Sequence, residues 1–313
     1  MILMRKPGEN GGKKRVGLSR KQFDVLETLA TATTTLSFGE LAAKTGYATD
    51  TLIDLERELS DTGSIDNHII TPAGRAALEP YRARRAIFIA AGFGSRLAPI
   101  TINTPKPLVR VHGIRIIDRL IDACLNAGID EIFVVRGYLG ELFDQLLYKY
   151  PMIKFLENRE YKEANNISSS LIARHLLQNA YVFEADLLLS NPLIIKKYHY
   201  TSNFLGIKKE QSDDWCFRVK DGVICEEMVG GKGNDIWQMV GISYWNSVDG
   251  KKLSDDIEEV YSRPGGKEYY WEQVPLVYKK EGYSVAVREC FDDDIVEIDT
   301  FNELKAIDKS YDV

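Results

Sequence analysis

A glycine-rich turn is the part of the sequence best suited to chemistry. It reads Ala90-Ala91-Gly92-Phe93-Gly94-Ser95-Arg96-Leu97 and begins at the end of a short apolar run. Such a turn after a parallel strand exposes backbone N–H groups that can hold phosphate oxygens. Leu97 stands where a dinucleotide-binding G-x-G-x-x-G motif needs a small residue, and the Gly-Lys-Ser/Thr of a P-loop is absent. Thr104-Pro-Lys106-Pro-Leu108 adds an ammonium group to the Arg96 guanidinium, and this combination favours a triphosphate.

Two carboxylate pairs, each with one residue between the acids, come later in the chain. Glu184-Ala-Asp186 follows the apolar run 181–183, and Glu297-Ile-Asp299 lies within 295–300. Because side chains alternate along a strand, both members of a pair face one side. Open α/β sheets bind ligands at the carboxyl ends of their strands, and Mg²⁺ takes one or two carboxylates together with phosphate oxygens. The sequence therefore predicts Mg²⁺ as a cofactor.

A large α/β domain, predicted over residues 83–313, must position these groups. From Ala86 onwards apolar strands alternate with helices, which indicates a mainly parallel sheet covered by helices on both faces. The segments are 86–90, 116–127, 131–136, 141–148, 153–157, 167–177 and 181–184. After Pro192 longer antiparallel strands are predicted, with turns at Asp221-Gly222 and Gly230-Gly231. Helices are predicted again near 254–262, 270–279 and 301–311.

A small, mainly helical domain is predicted over residues 19–82, after a flexible basic arm over 1–18. Helices are expected over 19–31, 37–46, 49–62 and from Thr71-Pro72, with a hairpin or wing at 65–70. This order resembles a winged helix-turn-helix. Its third helix carries five acidic side chains and a single Arg57, which argues against DNA binding, whereas Lys13-Lys14-Arg15 favours it. Docking, or a homodimer formed through this domain, is the alternative.

Composition and charge narrow the class of protein. The chain has 313 residues, of which 44% are hydrophobic and 27% charged, as in ordinary globular proteins. Net charge is +2 over residues 1–85 and −8 over 86–313, so the larger part is too acidic to wrap nucleic acid. We find neither a membrane-spanning run nor a signal sequence, and we expect a cytoplasmic protein. The four cysteines and four histidines lack metal-binding spacing, and we expect reduced cysteines.

The two phosphate-binding segments, A-A-G-x-G-S-R-L and T-P-K-P-L, resemble the nucleotidyltransferases that activate sugar and alcohol phosphates with an NTP. The resemblance implies a GT-A-type, Rossmann-like α/β domain with a mixed, mainly parallel sheet, which releases pyrophosphate. It implies catalytic roles for Arg96, Lys106 and Asp186, and Mg²⁺ held by Asp186 and Asp299. The residues that it implies for nucleotide binding are Ala91, Gly92, Gly94, Ser95, Arg96, Lys106, Gly137 and Tyr138.

Further segments, across roughly residues 86–313, are similar to bacterial CTP:phosphocholine cytidylyltransferases. They include 136–141, 165–169, 240–245, 269–272 and 297–300. The resemblance implies that CTP and phosphocholine are converted to CDP-choline. A quaternary ammonium is held by aromatic faces and carboxylates, so Trp271→Ala should raise KM for this substrate. The residues expected around the substrate are Asn166, Trp215, Tyr244, Tyr270, Trp271 and Glu272.

Three alternatives stay open at this point. A primary amine, as in 2-aminoethylphosphonate or phosphoethanolamine, would also fit an acidic aromatic pocket. A sugar-1-phosphate nucleotidyltransferase is the second alternative. The third is a regulator that senses CTP or phosphocholine and binds DNA through the small domain. The sequence does not distinguish CTP from UTP.

Overall fold

The computed structural model describes residues 17–312, and their contacts divide the chain between Pro80 and Tyr81. Most of the predicted basic arm, up to residue 16, lies outside the described residues. Within the described part, no helix is both long enough and apolar enough to cross a bilayer. All four cysteines are unpaired, and Cys124, Cys216 and Cys290 are buried.

The smaller unit contains three helices and a short hairpin followed by a fourth helix. The helices α1 (Arg20–Thr31), α2 (Phe38–Thr45) and α3 (Thr49–Asp61) precede β1 (Ile65–Asp66), β2 (Ile69–Ile70) and α4 (Pro72–Leu78). Ser37 and Glu40 form the predicted capping box, in which each side chain accepts from the other residue's backbone N–H. Ser19 caps α1 in the same way. Local side-chain hydrogen bonds therefore explain where these two helices begin.

The larger unit contains most of the secondary structure. Its strands are β3 (Arg85–Ala90), β4 (Arg110–Val111), β5 (Ile114–Arg115), β6 (Glu131–Arg136), β7 (Lys154–Glu157), β8 (Ala180–Glu184), β9 (Leu187–Leu189), β10 (Asn203–Lys208), β11 (Gln211–Lys220), β12 (Val223–Lys232), β13 (Ile236–Trp245), β14 (Ala286–Cys290) and β15 (Ile295–Glu297). Its helices are α5 (Ile116–Asn126), α6 (Ile167–Ala173), α7 (Ser247–Tyr261) and α8 (Phe301–Ile307).

A nine-stranded mixed sheet organises this unit, in the order β10-β14-β12-β11-β13-β8-β3-β6-β7. Strands β8, β3, β6 and β7 run parallel, whereas β13 pairs with β8 in antiparallel register. Strand β10 pairs with β13 in antiparallel register and with β14 in parallel register, so this half of the sheet curls back on itself. The predicted mixed α/β fold class is confirmed. The carboxyl ends of β3 and β8 lie together at one edge, where the turn and the first acidic pair follow.

Side-chain alternation along β3 builds a hydrophobic core on each face of the sheet. Phe88 packs with Leu120 of α5 on one face, and Ile87 packs with Ile257 of α7 on the other. All four side chains are fully buried. Helices thus cover both faces, as expected for parallel strands that are apolar on both sides.

Three local expectations differ from the structure. The predicted turn at Gly230-Gly231 lies inside β12, where Gly231 still pairs with Ser212 of β11 and Gly230 adopts a φ of +70°. A glycine tolerates that conformation, so the strand continues past it. The helix predicted over 141–148 is a 3₁₀ helix over Gly140–Tyr148, and the helix predicted over 270–279 is a short π-helix over Val274–Tyr278.

Candidate active site

The glycine-rich turn lines a cavity of about 330 Å³, which we call the turn cavity. Gly94 has a φ of +60°, and a Cβ atom there would lie 3.0 Å from the Cβ of Lys106. Thr101 Oγ1 donates to the Gly94 carbonyl oxygen at 2.9 Å. Glycine at this position therefore allows the turn to pack on the segment that carries the lysine. The predicted residues on the cavity wall are Gly92, Gly94, Ser95, Arg96, Lys106, Asp186 and Asp299.

Lys106 joins the two acidic segments that the sequence places far apart. Its side chain is buried, and its Nζ donates to Asp186 Oδ2 at 2.7 Å and to Asp299 Oδ1 at 3.1 Å. Arg96 donates to Asp299 Oδ2 at 2.8 Å. Burial acts to lower the pKa of Lys106, but the two carboxylates outweigh it and raise that pKa. Burial likewise acts to raise the pKa of Asp299, whereas the two cations hold it below its usual range.

Three carboxylates in this region lie close enough together to bind one cation. Glu184, Asp186 and Glu297 each offer an oxygen, and these oxygens lie within 4.8 Å of one another. Asp186 Oδ1 is buried and has no hydrogen-bond partner among residues 17–312. Burial, then the nearby carboxylates, raise the pKa of Glu297 to about 10 and that of Glu184 well above its usual range. Hard oxygen donors, one of them unsatisfied, fit Mg²⁺, whose charge would offset this repulsion.

A second cavity, of about 500 Å³, adjoins the turn cavity, and we call it the acidic cavity. The two cavities form one continuous site, because they share Ile89, Gly92, Arg96, Ala185, Asp186 and Asp299. The rest of the acidic cavity's wall combines carboxylates, amides and aromatic rings. These residues are Asn165, Asn166, Glu184, Asp214, Trp215, Met239, Gly241, Tyr270, Glu272 and Glu297.

Glu272 is the most deeply buried carboxylate of the acidic cavity, at 3% exposure. Its Oε2 accepts a long hydrogen bond of 3.4 Å from Asn166 Nδ2. Asn166 is held in turn, because its Oδ1 accepts from the Trp271 backbone N–H at 2.8 Å. Burial is the main cause that raises the pKa of Glu272 to about 8. Beside it, the rings of Trp215 and Tyr270 meet edge to face at 5.4 Å.

Two of the aromatic residues predicted to contact substrate are buried. Tyr244 is fully buried, where its ring stacks on His199 at 4.2 Å and its hydroxyl donates to Asn179. Trp271 is 3% exposed and packs against Phe204 and Trp245 instead of lining the cavity. Tyr244 belongs to the hydrophobic core on one face of the sheet, and Trp271 belongs to the core on the other face. Neither ring lines the turn cavity or the acidic cavity, and a direct contact of either ring with substrate stays a prediction.

Gly137 and Tyr138, which are predicted to bind nucleotide, lie immediately behind the turn and contact Ala91, the third such residue, within it. Tyr138 donates its backbone N–H to the Ala91 carbonyl at 3.1 Å. A Cβ on Gly137 would lie 2.8 Å from the Tyr161 ring and 3.0 Å from the same carbonyl, so this close approach requires glycine. The Tyr138 ring lies 5.2 Å from that of Phe93, which lines the turn cavity. These contacts support the turn, and direct binding of nucleotide by the three residues stays a prediction.

Sequence analysis missed Gly241 as part of the site. A Cβ there would lie 2.3 Å from Glu184 Oε2, so the absent side chain makes room for that carboxylate. Nothing in the sequence near Gly241 points to this role, because its partner lies on another strand. Glu297, which the sequence places in the second acidic pair but not among the expected metal ligands, also belongs to the group of three carboxylates.

Comparison with known proteins identifies the family. Residues 85–221 match the family model described as nucleotidyl transferase. A 2-aminoethylphosphonate cytidylyltransferase from Lancefieldella rimae is 37% identical over 230 residues, which are 72% of this chain and 92% of that protein. The chain belongs to the nucleotidyl transferase family. The enzyme class inferred from the two phosphate-binding segments is thereby confirmed.

Two further comparisons extend this result for the nucleotidyltransferase. This chain is 29% identical to a choline-phosphate cytidylyltransferase from Streptococcus pneumoniae, and the match covers 72% of this chain and 97% of that protein. The solved structure of CTP:phosphocholine cytidylyltransferase from Streptococcus pneumoniae superposes with a TM-score of 0.66 at 28% identity. That superposition covers 73% of this chain and 99% of the other. The GT-A-like nucleotidyltransferase fold expected from the sequence is confirmed.

Proposed function

We propose that this nucleotidyltransferase transfers a cytidylyl group from CTP to a short phosphonate or phosphate that ends in a primary ammonium group. The first candidate is 2-aminoethylphosphonate. The observation that carries the proposal is Glu272, a buried carboxylate that faces the acidic cavity with one long hydrogen bond. A buried carboxylate is unfavourable without donors, and a bound ammonium would supply them. The 37% identical relative, a 2-aminoethylphosphonate cytidylyltransferase, supports this choice.

The balance of carboxylates and rings favours a primary over a quaternary ammonium. A primary ammonium has three N–H donors, and Glu184 and Glu272 both face the cavity as acceptors. A quaternary ammonium has none and depends on surrounding aromatic faces. Phosphocholine, which the sequence resemblance implied, is the second candidate, and the Trp215–Tyr270 pair is the observation that favours it.

In the proposed reaction, a phosphonate oxygen attacks the α-phosphorus of CTP in line, and pyrophosphate leaves. The oxygen is already anionic near neutral pH, so a general base is not required. The turn over 92–95 and the Arg96 guanidinium would orient the triphosphate, and Lys106 would supply positive charge beside the reacting phosphate. Glu184, Asp186, Glu297 and Asp299 are the residues available to hold Mg²⁺. When bound, Mg²⁺ would offset the negative charge of the phosphates.

A pyrophosphate-release assay with Mg²⁺ tests the proposal. Each of the four NTPs is combined with 2-aminoethylphosphonate, phosphoethanolamine, phosphocholine or glucose 1-phosphate. We expect the highest kcat/KM with CTP and 2-aminoethylphosphonate. A higher value with phosphocholine would select the second candidate, and release with glucose 1-phosphate alone would indicate a sugar nucleotidyltransferase. Failure to release pyrophosphate with every pair would overturn the proposed activity.

Glu272→Gln tests the residue that carries the substrate assignment. The amide keeps the size of the side chain but loses its charge, so KM for 2-aminoethylphosphonate should rise about tenfold or more. KM for CTP should stay unchanged, because Glu272 lines the acidic cavity and not the turn cavity. Glu281→Gln, an exposed carboxylate outside both cavities, is the matched control.

A further inference from the structure

Glu227 is a buried carboxylate that the proposed reaction does not use directly. It lies on β12 opposite Phe217 of β11, and opposite residues of an antiparallel pair share one face of the sheet. Phe217 is fully buried in the cluster that contains Trp271 and Val274. Both carboxylate oxygens of Glu227 are buried and lack a hydrogen-bond partner within residues 17–312. Such a group normally costs stability, so its presence calls for an explanation.

The titratable groups that interact with Glu227 and Glu272 are acids and a phenol, and Glu272 also accepts the hydrogen bond from Asn166. Burial raises the pKa of Glu272 and that of Tyr278, which lies in the π-helix that packs against β12, and the charge of Glu227 makes a smaller contribution to both. From β8, Glu184 faces Glu272 across the acidic cavity and interacts with it electrostatically. Glu227 thus lies on the face of β12 against which the segment carrying Glu272 packs, and it does not line the acidic cavity. Like charges this close disfavour ionisation of both carboxyls while the cavity holds no cation.

We propose that Glu227 is a positioning residue for the ammonium end of the substrate, acting through Glu272. The inference rests on the proposed function. Glu227 adds negative potential near the carboxylate that meets the ammonium, in a region from which water is largely excluded. It therefore strengthens binding of a cationic tail without touching it, and it contributes nothing to binding of CTP.

Binding should be coupled to proton release. Without a cation, burial raises the pKa of Glu227 to about 7 and that of Glu272 to about 8, so the pair holds protons near neutral pH. An ammonium beside Glu272 favours the ionised carboxylates, and the protons that they lose pass to the buffer. Affinity for the cationic substrate should therefore rise as pH rises from about 6 to about 8.5.

The test compares Glu227→Gln with Glu226→Gln in the full chain. Glu226 is the next residue along β12, is exposed and pairs with Arg218 at 3.3 Å, so it controls for loss of a carboxylate from the strand. KM is measured for 2-aminoethylphosphonate and for ethylphosphonate, which has the same acid group but no amine. Melting temperatures establish that both variants fold.

For Glu227→Gln we expect KM for 2-aminoethylphosphonate to rise roughly five- to fifty-fold, as loss of a nearby buried charge should. The kcat value, KM for CTP and KM for ethylphosphonate should change less than about twofold, because none of them depends on the ammonium. The wild-type fall in KM with rising pH should flatten for the amine substrate. An equal rise of KM for both phosphonates would indicate a merely structural role and overturn the inference.

Calorimetry in buffers of different ionisation enthalpy provides a readout besides activity. Titration of 2-aminoethylphosphonate into the wild type should release protons near neutral pH, and Glu227→Gln should release fewer. Equal release by both proteins would contradict a role for Glu227. If the wild type fails to release pyrophosphate with any of the aminoalkyl substrates, the proposed function itself fails. If it is active and Glu227→Gln behaves as wild type, this inference alone fails.

Discussion

Lys106 Nζ lies 2.7 Å from Asp186 Oδ2, although 80 residues separate them in the chain. The same ammonium lies 3.1 Å from Asp299 Oδ1, so one buried cation links the segment 104–108 to both acidic segments. A triphosphate entering the turn cavity would compete with these carboxylates for Lys106. The carboxylates released by that exchange are the ones expected to hold Mg²⁺. Nucleotide and metal binding should therefore favour each other.

Lys106→Ala should reduce kcat by about 10²-fold or more, because positive charge at the reacting phosphate is lost. It should also lower the melting temperature in the absence of Mg²⁺, because Glu184, Asp186 and Glu297 then face one another without the lysine. Added Mg²⁺ should raise the melting temperature of this variant more than that of the wild type. Thermal melts with and without Mg²⁺ measure this. Lys209→Ala, which removes a surface pair with Asp292, is the control, and an equal Mg²⁺ response in both variants would contradict the prediction.

Asp186→Asn should lower kcat roughly 10²-fold or more, because a carboxylate contact to the metal is lost where charge develops. Chelation of Mg²⁺ should abolish pyrophosphate release in the wild type, and added Mg²⁺ should restore it. Steady-state assays at saturating CTP measure both effects. Asp292→Asn, at an exposed position, should behave as wild type. Full activity of Asp186→Asn would remove this residue from the mechanism.

Trp215→Ala and Tyr270→Ala should each raise KM for the amine substrate about three- to tenfold, because their rings line the acidic cavity. Trp271→Ala should instead lower the free energy of unfolding by about 3–5 kcal/mol, since its ring fills the core beside Phe204 and Trp245. Denaturant unfolding and steady-state kinetics separate the two effects. A stable Trp271→Ala protein with a raised KM would restore the original prediction for this residue.

Gly241→Ala should lower kcat/KM by about tenfold or more, because the new Cβ would displace Glu184 from its place between the metal site and the acidic cavity. Steady-state kinetics measure the loss. Gly39→Ala is the matched control, since a Cβ there meets no atom within 4 Å. Equal activity of the two variants would show that the position of Glu184 is not important.

The stability of the protein without substrate should fall as pH rises from about 4.5 to about 8. The pKa values of Glu227 and Glu272, about 7 and about 8, exceed the usual carboxyl value of 4.5, so the folded chain binds more protons than the unfolded chain in this range. Glu227→Gln removes one of these groups. Across this pH range the melting temperature of the variant should therefore fall by roughly 5 °C less than that of the wild type. Calorimetric melts at several pH values measure both slopes. Parallel slopes would count against a buried, protonated Glu227.

Much of the fold and the outline of the site follow from local patterns. The capping box at Ser37, the strand over 131–136 and the glycine-rich turn depend on neighbours within a few residues, and each lies where the sequence predicts it. The spacing of Glu184 and Asp186 after an apolar strand likewise brings them to the edge of the sheet.

The tertiary structure decided which side chains face the cavity and which are buried. Tyr244 and Trp271 are aromatic, as expected of residues that bind an ammonium, but rings distant in sequence from them, His199 and Phe204, pack against them. Glu227 and Gly241 look ordinary in sequence, and their importance depends on Glu272 and Glu184, which other segments supply. Periodicity determines which face of a strand a residue occupies, whereas burial and pKa depend on what packs against that face. The chemistry of the turn was therefore evident from sequence, and the selectivity of the acidic cavity required the fold.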